Sequence, residues 1–140
     1  MLRLGFPVVG VTDLDRAVDF WTAALDLVAA DEWQSGTWRT LNHREPREAP
    51  EASRRALGLM LSESPAEPRP RLHLDLFVDD TAEQEREVER LVGLGASRVA
   101  WDSYPPDPDF VVLADPDGNL FCVVDLSRAP SGTRPRDSSH

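Results

Sequence analysis

His73 and Asp75 stand two residues apart in the stretch RLHLDLFVDD, residues 71–80. Side chains alternate along a strand, so both belong to one face. An imidazole beside a carboxylate can ligate a metal, move a proton, or hydrogen-bond the polar end of a ligand. Cys122, in LFCVV, is the single thiol of the chain. Together His73, Asp75 and Cys122 compose a conceivable rearranged metal site, since zinc in a catalytic site takes about three protein ligands. A Cys122–His73 nucleophilic pair requires the two side chains to touch. A lone cysteine in an apolar run reads first as a small buried hydrophobe. His43 and His140 fall in a charged loop and a polar tail and read as solvated. No phosphate loop, GxSxG or HExxH is present. DPDGN, residues 115–119, lacks the downstream acids of a calcium loop and reads as a hairpin turn.

The aromatic residues suggest walls for an apolar cleft. Trp33 and Trp38 flank the turn QSG, where they can pair across strands. Trp101 precedes DSYPPDPDF, the loop with the only tyrosine. Read as strand-borne, these three can hold a flat or hydrophobic small molecule. Taken singly, each is more simply explained by sheet packing. Trp21, on a helical stripe, is core.

These residues need elements to position them. Residues 3–11 read as a strand, and Thr12 or Asp13 can cap a helix whose apolar face is Ala17, Val18, Trp21 and Leu25. LVAADEW, TWRTLN and ALGLMLSE read as three further strands, the last two joined by the polar loop HREPREAPEASRR. Residues 71–80 start a second round. Thr81 is the expected cap of a helix with the stripe Val88, Leu91 and Val92, ended by Gly95. ASRVAWD, FVVLAD and LFCVVDL follow as strands. The halves repeat, with Asp13 superposed on Asp80. The expected fold is α+β: two βαβββ modules, residues 3–63 and 71–126, forming a curved mixed sheet around a cleft. SPAEPRP, residues 64–70, is a linker stiffened by three prolines. Residues 1–126 make up the folded domain, and the polar tail 127–140 reads as disordered.

Composition narrows the function classes. The chain has 140 residues and a net charge of −10, which argues against nucleic acid and anionic membrane as partners. No run of 18 apolar residues suggests a membrane span. The N-terminus reads as a strand and not as a signal peptide. One cysteine cannot form an internal disulfide, which fits a cytoplasmic location.

GVTDLDRAVDFWTAALDL, HLDLFVDD and LADPDGNLFCVVD together resemble the vicinal oxygen chelate superfamily, which includes glyoxalase I, extradiol dioxygenases and bleomycin-resistance proteins. The resemblance covers residues 3–126 and implies the glyoxalase/bleomycin-resistance fold and a homodimer. It also implies a metal site: His or Gln on the first strand of each module, Glu on the last. Carried over, the ligand seven residues before the helix-initiating aspartate is His73 in the second module and Phe6 in the first. The glutamate position seven residues after Asp115 is Cys122. Its counterpart in the first module falls within Leu59, Met60 and Leu61. Phe6 and these three offer no hard donor. The expected function is therefore a glyoxalase-like binder of an apolar or aromatic small molecule, without a resident metal. Phe6, Trp33, Trp38, Met60, His73, Asp75, Trp101 and Cys122 are its candidate ligand contacts. The alternative is a lyase, isomerase or dioxygenase of the superfamily, using a divalent metal through His73 or using His73 and Asp75 as acid and base.

Overall fold

A computed structural model describes residues 1–128. The chain forms two compact units, one of residues 1–67 with 116–119, the other of residues 68–115 with 120 onward. The first unit contains β1 (Val8–Val11), α1 (Leu14–Leu25), β2 (Leu27–Ala29), β3 (Trp38–His43), α2 (Glu51–Arg54) and β4 (Arg55–Leu61). The second contains β5 (Leu74–Val78), α3 (Thr81–Leu94), β6 (Ser97–Arg98), β7 (Phe110–Ala114) and β8 (Leu120–Asp125). Each unit has a mixed four-stranded sheet, in the orders β1-β4-β3-β2 and β5-β8-β7-β6. In each, the first strand lies parallel to the last and the remaining pairs are antiparallel. The repeat expected from the sequence is thus present as a repeat of topology.

In the first unit, Leu41, Leu57, Leu59 and Val11 share a buried core with Phe20 and Trp21 of α1. The buried stripe of α1 is Leu14, Ala17, Phe20, Trp21 and Ala24, displaced from the expected one because Val18 and Leu25 are only half-buried. Asp13 caps α1 by accepting from the Arg16 N–H. The second unit packs Val78, Val88, Leu91, Leu113, Phe121 and Val123. Gln84 takes the place expected for Val92, which is exposed. Its amide donates to the carbonyls of Asp109 and Val123, so a polar residue is buried at no cost in unmade hydrogen bonds. Gly95 ends α3 with φ 122°, a conformation that favours glycine.

Several expected boundaries shift. The cap of α3 is Asp80, which accepts from the Glu83 N–H. Thr81 instead donates its hydroxyl to the buried Asp125. The first strand pairs over Val8–Val11 and not from residue 3. Beyond Ala29 the Ala30 N–H still donates to the Thr40 carbonyl, but Gln34 takes the return bond: its amide oxygen accepts from the Thr40 N–H, and its amide nitrogen donates to the Ala30 carbonyl. The polar loop of residues 43–55 contains the short helix α2. The expected disordered tail, residues 127–140, falls mostly on residues 129–140, outside the described residues. Ser127 bonds Asp125 through its hydroxyl and N–H, and Arg128 bonds the Pro108 carbonyl and Asp107.

Candidate functional site

The second sheet carries a cleft of about 700 Å³. Strand alternation builds it. His73, just before β5, and Asp75 and Phe77 within it line the cleft, together with Phe110 and Val112 of β7 and Leu120, Cys122 and Val124 of β8. Alternate residues Leu113, Val123 and Val78 are buried in the core.

Polar chemistry gathers at Asp75. Its carboxylate lies 3.1 Å from His73 Nε2, and both side chains are nearly half exposed. In the parallel register Asp75 stands directly across from Cys122. Burial pushes the Cys122 thiol up to about 12, with the Asp75 charge and the thiol's hydrogen bond to it adding to the shift. At neutral pH this sulfur is a protonated donor and not a nucleophile. His73, Asp75 and Cys122 offer donor atoms that all lie within 4.8 Å of one another.

Trp101 also lines this cleft, but from the loop after β6 and not from a strand. The Arg69 guanidinium lies over its ring at 5.5 Å and is anchored by a forked contact to Asp102, at 2.6 and 2.7 Å, and by Ser103. The Arg69 hydrogen bond, followed by that of Ser103, holds Asp102 below the ordinary carboxylate range. The Tyr104 hydroxyl accepts from the Val112 N–H at 2.7 Å, occupying β7 backbone that the two-residue β6 leaves uncovered.

The other candidate contacts belong to the first unit. Phe6 packs edge-on against Trp38, ring centroids 6.4 Å apart. Trp33 lies outside the strands, at φ 62° and largely exposed, with Arg55 5.1 Å over its ring. Met60 pairs with Trp38 across β4 and β3 and is exposed. Of the eight residues, His73, Asp75, Trp101 and Cys122 belong to the second unit, and Phe6, Trp33, Trp38 and Met60 to the first. Sequence reasoning missed Phe77, although the alternation His73–Asp75–Phe77 carries the signal. It also missed Arg55 and Arg69, whose partners are distant in sequence.

Asp117 and Asn119, read from sequence as turn residues, do more. Asp117 accepts from the Thr12 N–H and hydroxyl, at 2.8 and 2.7 Å, and from Arg16 at 2.9 Å. Asn119 donates to the Gly10 carbonyl. Burial raises the Asp117 carboxyl, but the Thr12 and Arg16 contacts outweigh it and leave the group below its ordinary value.

A family model described as a glyoxalase-like domain matches residues 7–124. No curated protein matches the sequence. Solved structures share the fold. A glyoxalase/bleomycin resistance protein/dioxygenase family enzyme from Burkholderia phytofirmans is 14% identical, with 87% of this chain and 97% of that one covered at a TM-score of 0.63. A glyoxalase-related enzyme from Fulvimarina pelagi is 15% identical, with coverage of 98% and 100% and a TM-score of 0.64. A mutant fosfomycin resistance protein, FosX, from Listeria monocytogenes, complexed with manganese and dihydroxypropylphosphonic acid, is 17% identical, with coverage of 89% and 90% and a TM-score of 0.63.

The donor set of this chain departs from the metal centre that the superfamily resemblance implies. Phe6 has a phenyl ring where a donor is needed, and no hard donor lies in Leu59–Leu61. Cys122 stands where the resemblance implies a carboxylate.

Proposed function

The chain belongs to the glyoxalase-like domain family of the vicinal oxygen chelate superfamily, and from that premise we propose that it binds an apolar or aromatic small molecule in the cleft of the second sheet, without a resident metal. The observation that carries this reading is the cleft itself: about 700 Å³, within the size range of small-molecule sites. Its walls are mostly apolar, with His73, Asp75 and Cys122 as convergent polar groups. Phe77, Phe110, Val112, Val124 and Trp101 would take the apolar body. His73 and Asp75 would hydrogen-bond its polar end or exchange a proton with it. The net charge of −10 supports a small molecule over nucleic acid or an anionic membrane. No helix among the described residues is long and apolar enough to cross a membrane.

The test is a ligand-observed magnetic-resonance screen of flat aromatic fragments against the metal-stripped protein. Hits should lose affinity about tenfold or more in Val124→Trp, which fills the cleft, the size of effect expected when a central apolar contact is lost. Absence of hits, or hits indifferent to Val124→Trp, would contradict the reading.

One observation favours a second reading, an enzyme with a rearranged metal site. The donors of His73, Asp75 and Cys122 are close enough together, within 4.8 Å, for a tetrahedral zinc with bonds of about 2.0–2.3 Å to be reached by small shifts. Loading would have to expel the thiol proton. Metal uptake separates the two readings.

A further inference from the structure

Arg55 begins β4 on the first sheet, and its side chain is held in an unusual way. Its guanidinium carbon lies over the Trp33 ring at 5.1 Å and over the Phe6 ring at 6.0 Å. No hydrogen bond or ion pair joins its side chain to any described residue, and Nε is buried without a partner. The chain has 25 acidic residues against 15 basic ones, so acids are not scarce. Arg54, next to it, pairs with Glu51.

Stacking satisfies the face of a guanidinium and leaves its in-plane N–H groups unused. Those groups form a planar fork that matches an oxyanion held by two parallel bonds. Around the fork, Phe6 meets Trp38 edge-on. Both rings lie close over Gly58: a Cβ added there would stand 2.7 Å from Trp38 ring carbons and 2.9 Å from Phe6. The rings are thus seated on backbone. Trp33 keeps an exposed ring beside Arg55.

We propose that Arg55, with Trp33, Phe6 and Trp38, forms an anion-binding site on the first sheet for a small aromatic carboxylate. The carboxylate takes the guanidinium fork, and the ligand's ring packs on the exposed Trp33. This site stands on residues of the first unit alone.

Benzoate is the probe, titrated into the full chain with the indole N–H signals of Trp33 and Trp101 followed by magnetic resonance. Saturable shifts at Trp33 are expected. Arg55→Met should weaken benzoate binding by about tenfold or more, because the two-bond charged contact is lost. Trp33→Ala, at an exposed position where folding is not at stake, should also weaken it. Benzyl alcohol and inorganic phosphate should each bind more weakly than benzoate, the first lacking the charge and the second the ring. Unchanged affinity in folded Arg55→Met, or no effect of Trp33→Ala, would overturn the proposal. So would benzyl alcohol or phosphate binding as tightly as benzoate. Shifts at Trp101 alone would also overturn it, while leaving the second-sheet cleft as the binding site.

Discussion

Asp75 and Cys122 face each other across the parallel β5–β8 pair, and the carboxylate accepts the thiol's hydrogen. The negative charge therefore suppresses the sulfur's ionisation, on top of its burial. Alkylation of native protein by iodoacetamide at pH 8 should be far slower than that of free cysteine. Asp75→Asn removes the charge and should speed alkylation several-fold, without reaching the free rate, because burial is the larger cause. Equal rates in wild type and Asp75→Asn would show that the pair is not coupled.

Asp125 is buried and accepts from the Ser127 hydroxyl and N–H and from the Thr81 hydroxyl. The Ser127 hydroxyl bond, then that of Thr81, lower its folded pKa below the ordinary 3.8 against the opposing effect of burial. A folded pKa below the unfolded one gives stability that is fully present above about pH 4 and is lost as pH falls through the folded value. In urea melts, Asp125→Ala should therefore be clearly less stable than wild type at pH 7, and the gap should narrow below pH 3. A gap independent of pH would assign the residue's role to packing.

Gly58 sits beneath Trp38 and Phe6. Gly58→Ala should force both rings to move and cost about 1–3 kcal/mol, the usual range for overpacking. Thermal unfolding and the tryptophan emission spectrum report the two effects. A melting temperature equal to wild type would mean that the rings yield freely.

Gln84 bridges the carbonyls of Asp109 and Val123. Gln84→Leu keeps the volume but removes one donor from each carbonyl, while the Asp109 carbonyl keeps the Asp125 N–H, and it should lower stability by about 1 kcal/mol. A neutral result in urea denaturation would show that water reaches these carbonyls.

β1, β2, β5 and β6 are edge strands in their sheets, and exposed edges are surfaces for pairing with another chain. We propose a homodimer, as expected from the family resemblance. Sedimentation velocity at high micromolar concentration should give twice the monomer mass. A monomer there would rule it out.

The repeat and its elements were legible because hydrophobic periodicity and the aspartates at 13 and 80 are local signals. Asp80 caps α3 where Thr81 was expected because Thr81 has a distant partner, Asp125, which only the folded chain reveals. Gln84 is absent from the expected stripe for the same reason: its two acceptors lie 25 and 39 residues away. In the candidate site, His73 and Asp75 were readable from alternation. Cys122 was placed by counting along the second module, and the fold sets it across from Asp75 in the β5–β8 register. Trp33 and Trp101 were assigned to strands by their β-forming neighbours. β2 ends at Ala29, and β6 is two residues long, so both tryptophans fall in loops. Arg55 carries no local signal, since a guanidinium in a mixed-charge loop reads as solvated.

Metal uptake tests the central claim most directly. Metal-stripped protein is dialysed to equilibrium against zinc, iron, nickel and manganese, and bound metal is measured per chain. Uptake well below one equivalent is expected, with no difference between wild type and His73→Ala. Tight stoichiometric uptake abolished by His73→Ala would contradict the metal-free reading and make a His73, Asp75 and Cys122 metal centre the basis of function.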